Sequence, residues 1–258
     1  MGPRFHTGDG MGMLEYTPTG IDGIDAMLEG RGIPSGYVVL VLGSPGCGKT
    51  TLGVQFLYNG VVKFNENGIL VLLEEDPGMV KSNMLRFGWN LDKLEEEGRI
   101  AIVDASPIRF ITKGIKLGET TIGSKEFRVI SLIERIKAES ERLKAKRLVV
   151  DSLSTFTLQY PRAAERREAI LNLIQGIAST GCTTLLISEL ARSTIERKYQ
   201  IEEYLAHGVM LLQRLIRADG VVHVFMIEKM RGVNHDVQPR PFKITQNGIV
   251  VFPSEVVF

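Results

Sequence analysis

The 258-residue chain is 44% hydrophobic and 24% charged, the balance of a globular chain long enough for one large α/β core. Its net charge of +1, from 31 Lys+Arg against 30 Asp+Glu, gives no argument from bulk charge for nucleic-acid binding. No apolar run is long enough to span a membrane and no secretory signal is visible, while Cys47 and Cys182 make neither a disulfide framework nor a metal cluster.

In chain order, residues 1–13 are Gly-rich with a lone His6 and read as a mobile tail. Residues 14–258 then read as one domain, with no internal repeat and no linker. Apolar Ile21, Ile24, Met27 and Leu28 predict a short amphipathic helix. Tyr37 to Leu42 is a continuous apolar run, as expected of a buried strand. It leads into Gly43-Ser44-Pro45-Gly46-Cys47-Gly48-Lys49-Thr50, which fits G-x-x-x-x-G-K-[ST]. The next residues, from Thr51 to Tyr58, suit a helix packed on that strand. Strand, glycine loop and helix form a phosphate cradle of backbone N–H groups and a helix N-terminus. Lys49 is placed for the outer phosphates and the Thr50 hydroxyl for Mg²⁺. Gly43 to Thr51 are therefore the candidate nucleotide-binding residues.

A second apolar run, Ile69 to Leu73, ends in Glu74-Glu75-Asp76, at the edge where α/β sheets place ligands. Asp76-Pro77 predicts a helix start by cap and first-turn proline. Met79, Met84 and Trp89 are expected in the core. Ile100 to Val103 is a third strand. Residues 104–126 lack a period and read as a surface excursion, followed by a helix over 127–146. Leu148-Val149-Val150-Asp151 is a fourth strand ending in an acid. This resembles Walker B, whose carboxylate holds Mg²⁺. Another helix follows over 162–179. Its Arg162, Arg166 and Arg167 are taken as a solvated face.

Thr183 to Glu189 is a fifth strand with a polar tip. Residues 191–200 form a charged loop carrying Arg192, Arg197 and Lys198. Val209–Leu212 and Val221–Ile227 predict a hairpin across Asp219-Gly220, with His223 a packed or edge residue. Glu228 to Asp236 reads as a polar loop. Phe242–Thr245 and Gly248–Val251 predict a last hairpin. The sum is a mostly parallel α/β sheet with helices on both faces and antiparallel C-terminal hairpins. Its ligand crevice holds Lys49, Thr50, Glu74, Glu75 and Asp151. Phosphoryl transfer needs an anion cradle, a metal held by hydroxyl and acid, and a carboxylate to orient water. A carboxylate on the strand beside the phosphate loop suits the last role, and Glu74 and Glu75 are expected there.

Several of these pieces together resemble the single-domain KaiC-like ATPases of the RecA superfamily. They are Thr19-Gly20-Ile21-Asp22-Gly23-Ile24-Asp25, the loop Gly43–Thr50, the Glu74-Glu75 pair, Val149 to Leu153, and Lys229-Met230-Arg231-Gly232 with His235 close behind. The resemblance runs from Thr19 to Val251. It implies a RecA fold, Mg-ATP, and a homo-oligomeric ring, commonly of six subunits, with ATP between neighbours. It implies catalytic work for Glu74 and Glu75 as base and water positioner. It also implies that Lys229 and Arg231, and more weakly His235, reach a neighbour's ATP. The family's clock protein has two such domains and phosphorylates itself. This chain has one, so autokinase activity is not implied.

Three functions compete on the sequence. One is an ATPase whose hydrolysis reshapes a ring in a reducing cytoplasm. Another is a recombinase-like accessory holding DNA through residues 152–161 and 191–200. The third is a nucleotide-dependent switch that binds another protein.

Overall fold

The computed structural model describes residues 14–105, 115–117, 120–122, 125–190, 199–217 and 220–257. The tail 1–13, most of the excursion, and the basic residues Arg192, Arg197 and Lys198 lie outside these.

Nine strands make the main sheet: β3 (Val38–Gly43), β4 (Gly68–Leu72), β5 (Ile100–Asp104), β8 (Arg147–Asp151), β9 (Thr183–Glu189), β10 (Gly208–Arg217), β11 (Gly220–Met230), β12 (Arg240–Thr245) and β13 (Gly248–Val251). Their spatial order is β13-β12-β11-β10-β3-β9-β8-β4-β5. From β10 to β5 every neighbouring pair is parallel, while β11, β12 and β13 extend the sheet antiparallel. Short pairs β1 (Tyr16–Thr17) with β2 (Ile33–Pro34), and β6 (Ile115–Leu117) with β7 (Thr120–Ile122), lie apart.

Period-2 alternation divides the core into two layers. In β3, Val39 and Val41 join Leu52 and Phe56 of α2 (Lys49–Phe64), together with Phe225 and Ile227 of β11. Val38, Leu40 and Leu42 face the other way, onto Ile136 of α5 (Lys125–Leu143) and Ile170, Leu173 and Ile177 of α7 (Ala163–Ala178). Both faces of the parallel strands are covered, which is why they read as unbroken apolar runs. Among the described residues no helix is long and apolar enough to cross a membrane.

The Thr19–Asp25 stretch closes on itself at the start of α1 (Asp22–Met27). The Asp25 carboxylate accepts hydrogen bonds from the Thr19 N–H (2.8 Å), the Thr19 hydroxyl (2.8 Å) and the Gly20 N–H (2.9 Å). Asp76 caps α3 (Pro77–Leu85), its carboxylate accepting from Met79 N–H at 3.0 Å. Met84 and Trp89 are core residues, but Met79 is 65% exposed. Only Val80 and Met84, four apart, bury a stripe of this nine-residue helix. His223 stacks on Phe242 with ring centroids 5.2 Å apart. Three short helices escaped the sequence reading: α4 (Leu91–Glu96), α6 (Leu153–Thr157) and α8 (Ile201–Leu205). Each is too short to show a period.

Candidate functional site

The loop after β3 turns into α2 through Gly48, whose φ of +97° lies in the left-handed region that glycine enters without steric cost. Lys49, almost fully buried, folds back over the loop. Its Nζ donates to the carbonyls of Gly43 (2.9 Å) and Ser44 (3.0 Å). Thr50 donates its hydroxyl to Asp151 Oδ2 at 2.6 Å, across 101 residues of sequence. A cavity of about 500 Å³ opens over these groups, with Pro45, Gly46 and Thr51 on its loop side and Glu74 and Glu75 on its acidic side. The Ser152 hydroxyl donates to Glu74 at 3.3 Å. Cys47 faces the core, 1% exposed, where burial pushes its thiol pKa up.

Asp151 has its carboxyl pushed up to about 6, first by burial and then by Glu75 and Glu74, against the Thr50 hydrogen bond and Lys49. Two further carboxylates crowd it in a partly dry site. Hydroxyl and carboxylate oxygens alone suit a hard divalent cation such as Mg²⁺, so Thr50 and Asp151 fit the role of metal holders.

Contrary to expectation, Glu74 and Glu75 do not follow a strand that neighbours the phosphate-loop strand. The phosphate-loop strand β3 lies between β10 and β9, and β8 and β9 both lie between β3 and β4. The crossover through α2 skips two places, which later strands fill, and an apolar run cannot announce that. Glu74 and Glu75 still line the cavity, but the carboxylate that ends a strand adjacent to β3 is Glu189, on β9. Glu189 carried the same signal as Asp151, an acid closing an apolar strand. Phe87 and Ile244 also line the cavity; only tertiary packing brings them there.

Lys229, Arg231 and His235 are not brought to this cavity. In register, Met230 pairs with Gly208, and Gly208 with Val39. The two cations therefore sit level with the start of β3, and the phosphate loop leaves its end. Four residues of strand, roughly 13 Å at ~3.3 Å each, separate the levels. The polar loop begins later than expected, because β11 runs on to Met230.

A β-bulge makes this possible. The pairing shifts between Val209–Lys229 and Met210–Ile227, leaving Glu228 as the extra residue. Strict alternation from Phe225 and Ile227 would send residue 229 into the apolar layer under α2. The bulge instead places Met230 in that layer and sends Lys229 and Arg231 to the other face. There Lys229 Nζ donates to the carbonyls of Glu203 and Ala206, both at 2.7 Å, and Arg231 Nη2 to that of Tyr204 at 2.8 Å. Burial and the neighbouring Arg231 lower the Lys229 pKa. His235 is half-buried, its Nδ1 3.4 Å from the Val233 carbonyl.

Of the two stretches on which DNA binding would rest, the first, 152–161, holds helix α6, whose C-cap Leu158 is 82% exposed. The basic residues of the second lie outside the described residues.

A parallel sheet carrying a phosphate loop after one strand and a hydroxyl-bonded Asp at the end of another is a phosphate-loop ATPase core of the RecA type. The chain belongs to the KaiC family: the family model described as "ATPase: KaiC" matches residues 17–256. It is 40% identical over 253 residues to a UPF0273 protein of Thermotoga maritima, covering 94% of this chain and 98% of that one. It is 34% identical over 236 residues to the circadian clock oscillator protein KaiC of Synechococcus elongatus, covering 91% of this chain but 44% of the clock protein. The crystal structure of a KaiC-like protein from Pyrococcus horikoshii superposes with a TM-score of 0.78 at 34% identity, covering 93% of this chain and 100% of that one.

Proposed function

We propose that the chain is a Mg-ATP hydrolase that works as a homo-oligomeric ring, with each nucleotide held between two subunits. One observation carries the reading. The phosphate cradle and the Lys229–Arg231 pair stand at opposite edges of the same strands, so a chain offers its cations to a neighbour's nucleotide and receives its own from the other side.

The roles follow from position. The loop 43–51 holds the phosphates and Lys49 supplies a positive charge to the outer ones. Thr50 and Asp151 hold Mg²⁺, which when bound neutralises charge on the transferring phosphoryl group. Glu74 and Glu75 orient the attacking water and accept its proton. Lys229 and Arg231 of the adjacent subunit balance the charge that grows on the γ-phosphate oxygens.

ATP turnover and solution mass, measured together, test this. The wild type should hydrolyse Mg-ATP as an oligomer. Lys49→Ala, which removes the cation from the cradle, should lose most binding or turnover. Unchanged affinity and rate in Lys49→Ala would remove the assignment, and full turnover by an isolated monomer would remove the shared site.

A further inference from the structure

We propose that α8 is a strut joining the two ends of the parallel strands. It positions Lys229 and Arg231 for the neighbouring subunit's nucleotide and ties them to the rim of the chain's own phosphate cavity. The inference rests on the shared-site reading above.

The C-terminal end of α8 supplies the grip. Carbonyls in a helix's last turn have no partner within the helix and carry its negative end. The carbonyls of Glu203, Tyr204 and Ala206 accept from Lys229 and Arg231 at 2.7–2.8 Å. Two long side chains that would otherwise be free rotors are thereby fixed in direction. Fixing them in advance lowers the entropy lost when they meet a phosphate.

The N-terminal end supplies the tie. The Gln200 N–H donates to the Glu203 carboxylate at 2.7 Å. The Gln200 side-chain amide donates to Glu202 at 3.0 Å and to the backbone carbonyl of Glu189 at 3.3 Å. Glu189 ends β9 in register with Gly43 and lines the phosphate cavity. At the far end, the His207 N–H donates to the Val38 carbonyl at 2.9 Å. Residues 200–207 thus run from the level of Gly43 to that of Val38. Glu202 and Glu203 are 5% and 4% exposed, an unusual place for two adjacent carboxylates unless they hold something. A five-residue helix is not stable by itself, so its position is set by these end contacts together with the packing of Leu205 and Ala206 into the core layer beside α7. A displacement of the Glu189 carbonyl by a nucleotide in the chain's own cavity would move the carbonyls that hold the cations. Glu203 and Gln200 are positioning residues; neither meets the nucleotide.

The test is a double-mutant cycle on turnover and ATP affinity in assembled rings. Glu203→Ala should lower turnover by about 10²-fold, the scale of a misplaced reacting group, with ATP affinity unchanged. Glu203→Gln, whose amide oxygen can accept the same N–H, should keep most of it. In a Lys229→Ala/Arg231→Ala background, Glu203→Ala should cost nothing further. An equal loss in both backgrounds would make α8 a folding element only. Wild-type turnover in Glu203→Ala would reject the strut outright. Should Glu203→Ala not fold, Gln200→Ala carries the test, since it deletes only the half-buried amide. Wild-type rings should respond cooperatively to ATP, and Gln200→Ala should bring the Hill coefficient towards 1. A non-cooperative wild type, or an unchanged coefficient, overturns the coupling. Wild-type turnover by Lys229→Ala/Arg231→Ala would show instead that the shared-site reading itself had failed, and the strut with it.

Discussion

The two edges of the parallel strands are built by different means. At the edge where the strands end, the phosphate loop, Thr50, Asp151 and the Glu74–Glu75 pair follow apolar runs directly, and each is fixed by its own strand. At the edge where the strands begin, Lys229 and Arg231 face α8 only because a bulge at Glu228 interrupts β11. They are held by carbonyls from a helix far from them in sequence. The first edge is a pocket complete in its local chemistry. The second is a pair of cations held by carbonyls of the same chain, and on the function proposed above their target is a neighbouring chain's nucleotide.

That contrast can be broken from either side. The largest effect is expected at the cation edge. Arg231→Ala should bind ATP normally yet lose on the order of 10³–10⁵ in turnover, the value of an arginine finger. Normal turnover with normal binding would reduce Arg231 to a cap for α8. At the cavity edge, Glu74→Gln with Glu75→Gln should cost roughly 10² or more in turnover, again with ATP bound. A double mutant at the wild-type rate would take both glutamates out of the mechanism.

A third substitution separates functional cations from a structural one. Arg147, 0% exposed, pairs with Glu66 at 2.7 Å and donates to the Phe56 carbonyl at 2.9 Å beneath α2. A Cβ added to Gly60 would lie 2.4 Å from Arg147 Cδ. Gly60→Ala should therefore lower stability by about 1–3 kcal/mol, as overpacking does, and leave kcat at saturating ATP unchanged. Denaturant unfolding and turnover on the same sample read both. A lost kcat without lost stability would place Arg147 in the catalytic path.

The smallest effect concerns Cys47. Its position in the loop suggests contact with nucleotide, yet the thiol is buried and its pKa raised. Since the thiolate is the reactive form, alkylation at neutral pH should be slow with or without ATP. Rapid labelling blocked by ATP would put the side chain in the cavity.

The strands of the sheet were legible because parallel strands covered on both faces must be apolar throughout, and because the C-terminal strands flank turn signals that mark hairpins. Their order was not. Nothing in Ile69 to Leu73 says that two strands will lie between it and the phosphate loop, so Glu189 went unread while Glu74 and Glu75 were given its place. The cavity's principal residues were legible because a phosphate loop and a strand-ending acid are local signals. Phe87 and Ile244 reach the cavity through folding alone. The same holds for α8. Five residues cannot display a helical period, and the carbonyls that hold Lys229 and Arg231 have no side-chain signature at all.

On the function proposed above, one chain's cations complete another chain's site. Mixing Lys49→Ala subunits with Arg231→Ala subunits tests it most directly. Each should be nearly inactive alone. In mixed rings some interfaces would join an intact cradle to an intact cation pair, and the account predicts partial recovery of ATP turnover that rises and falls with the mixing ratio. No recovery at any ratio, in rings shown to exchange subunits, would contradict it.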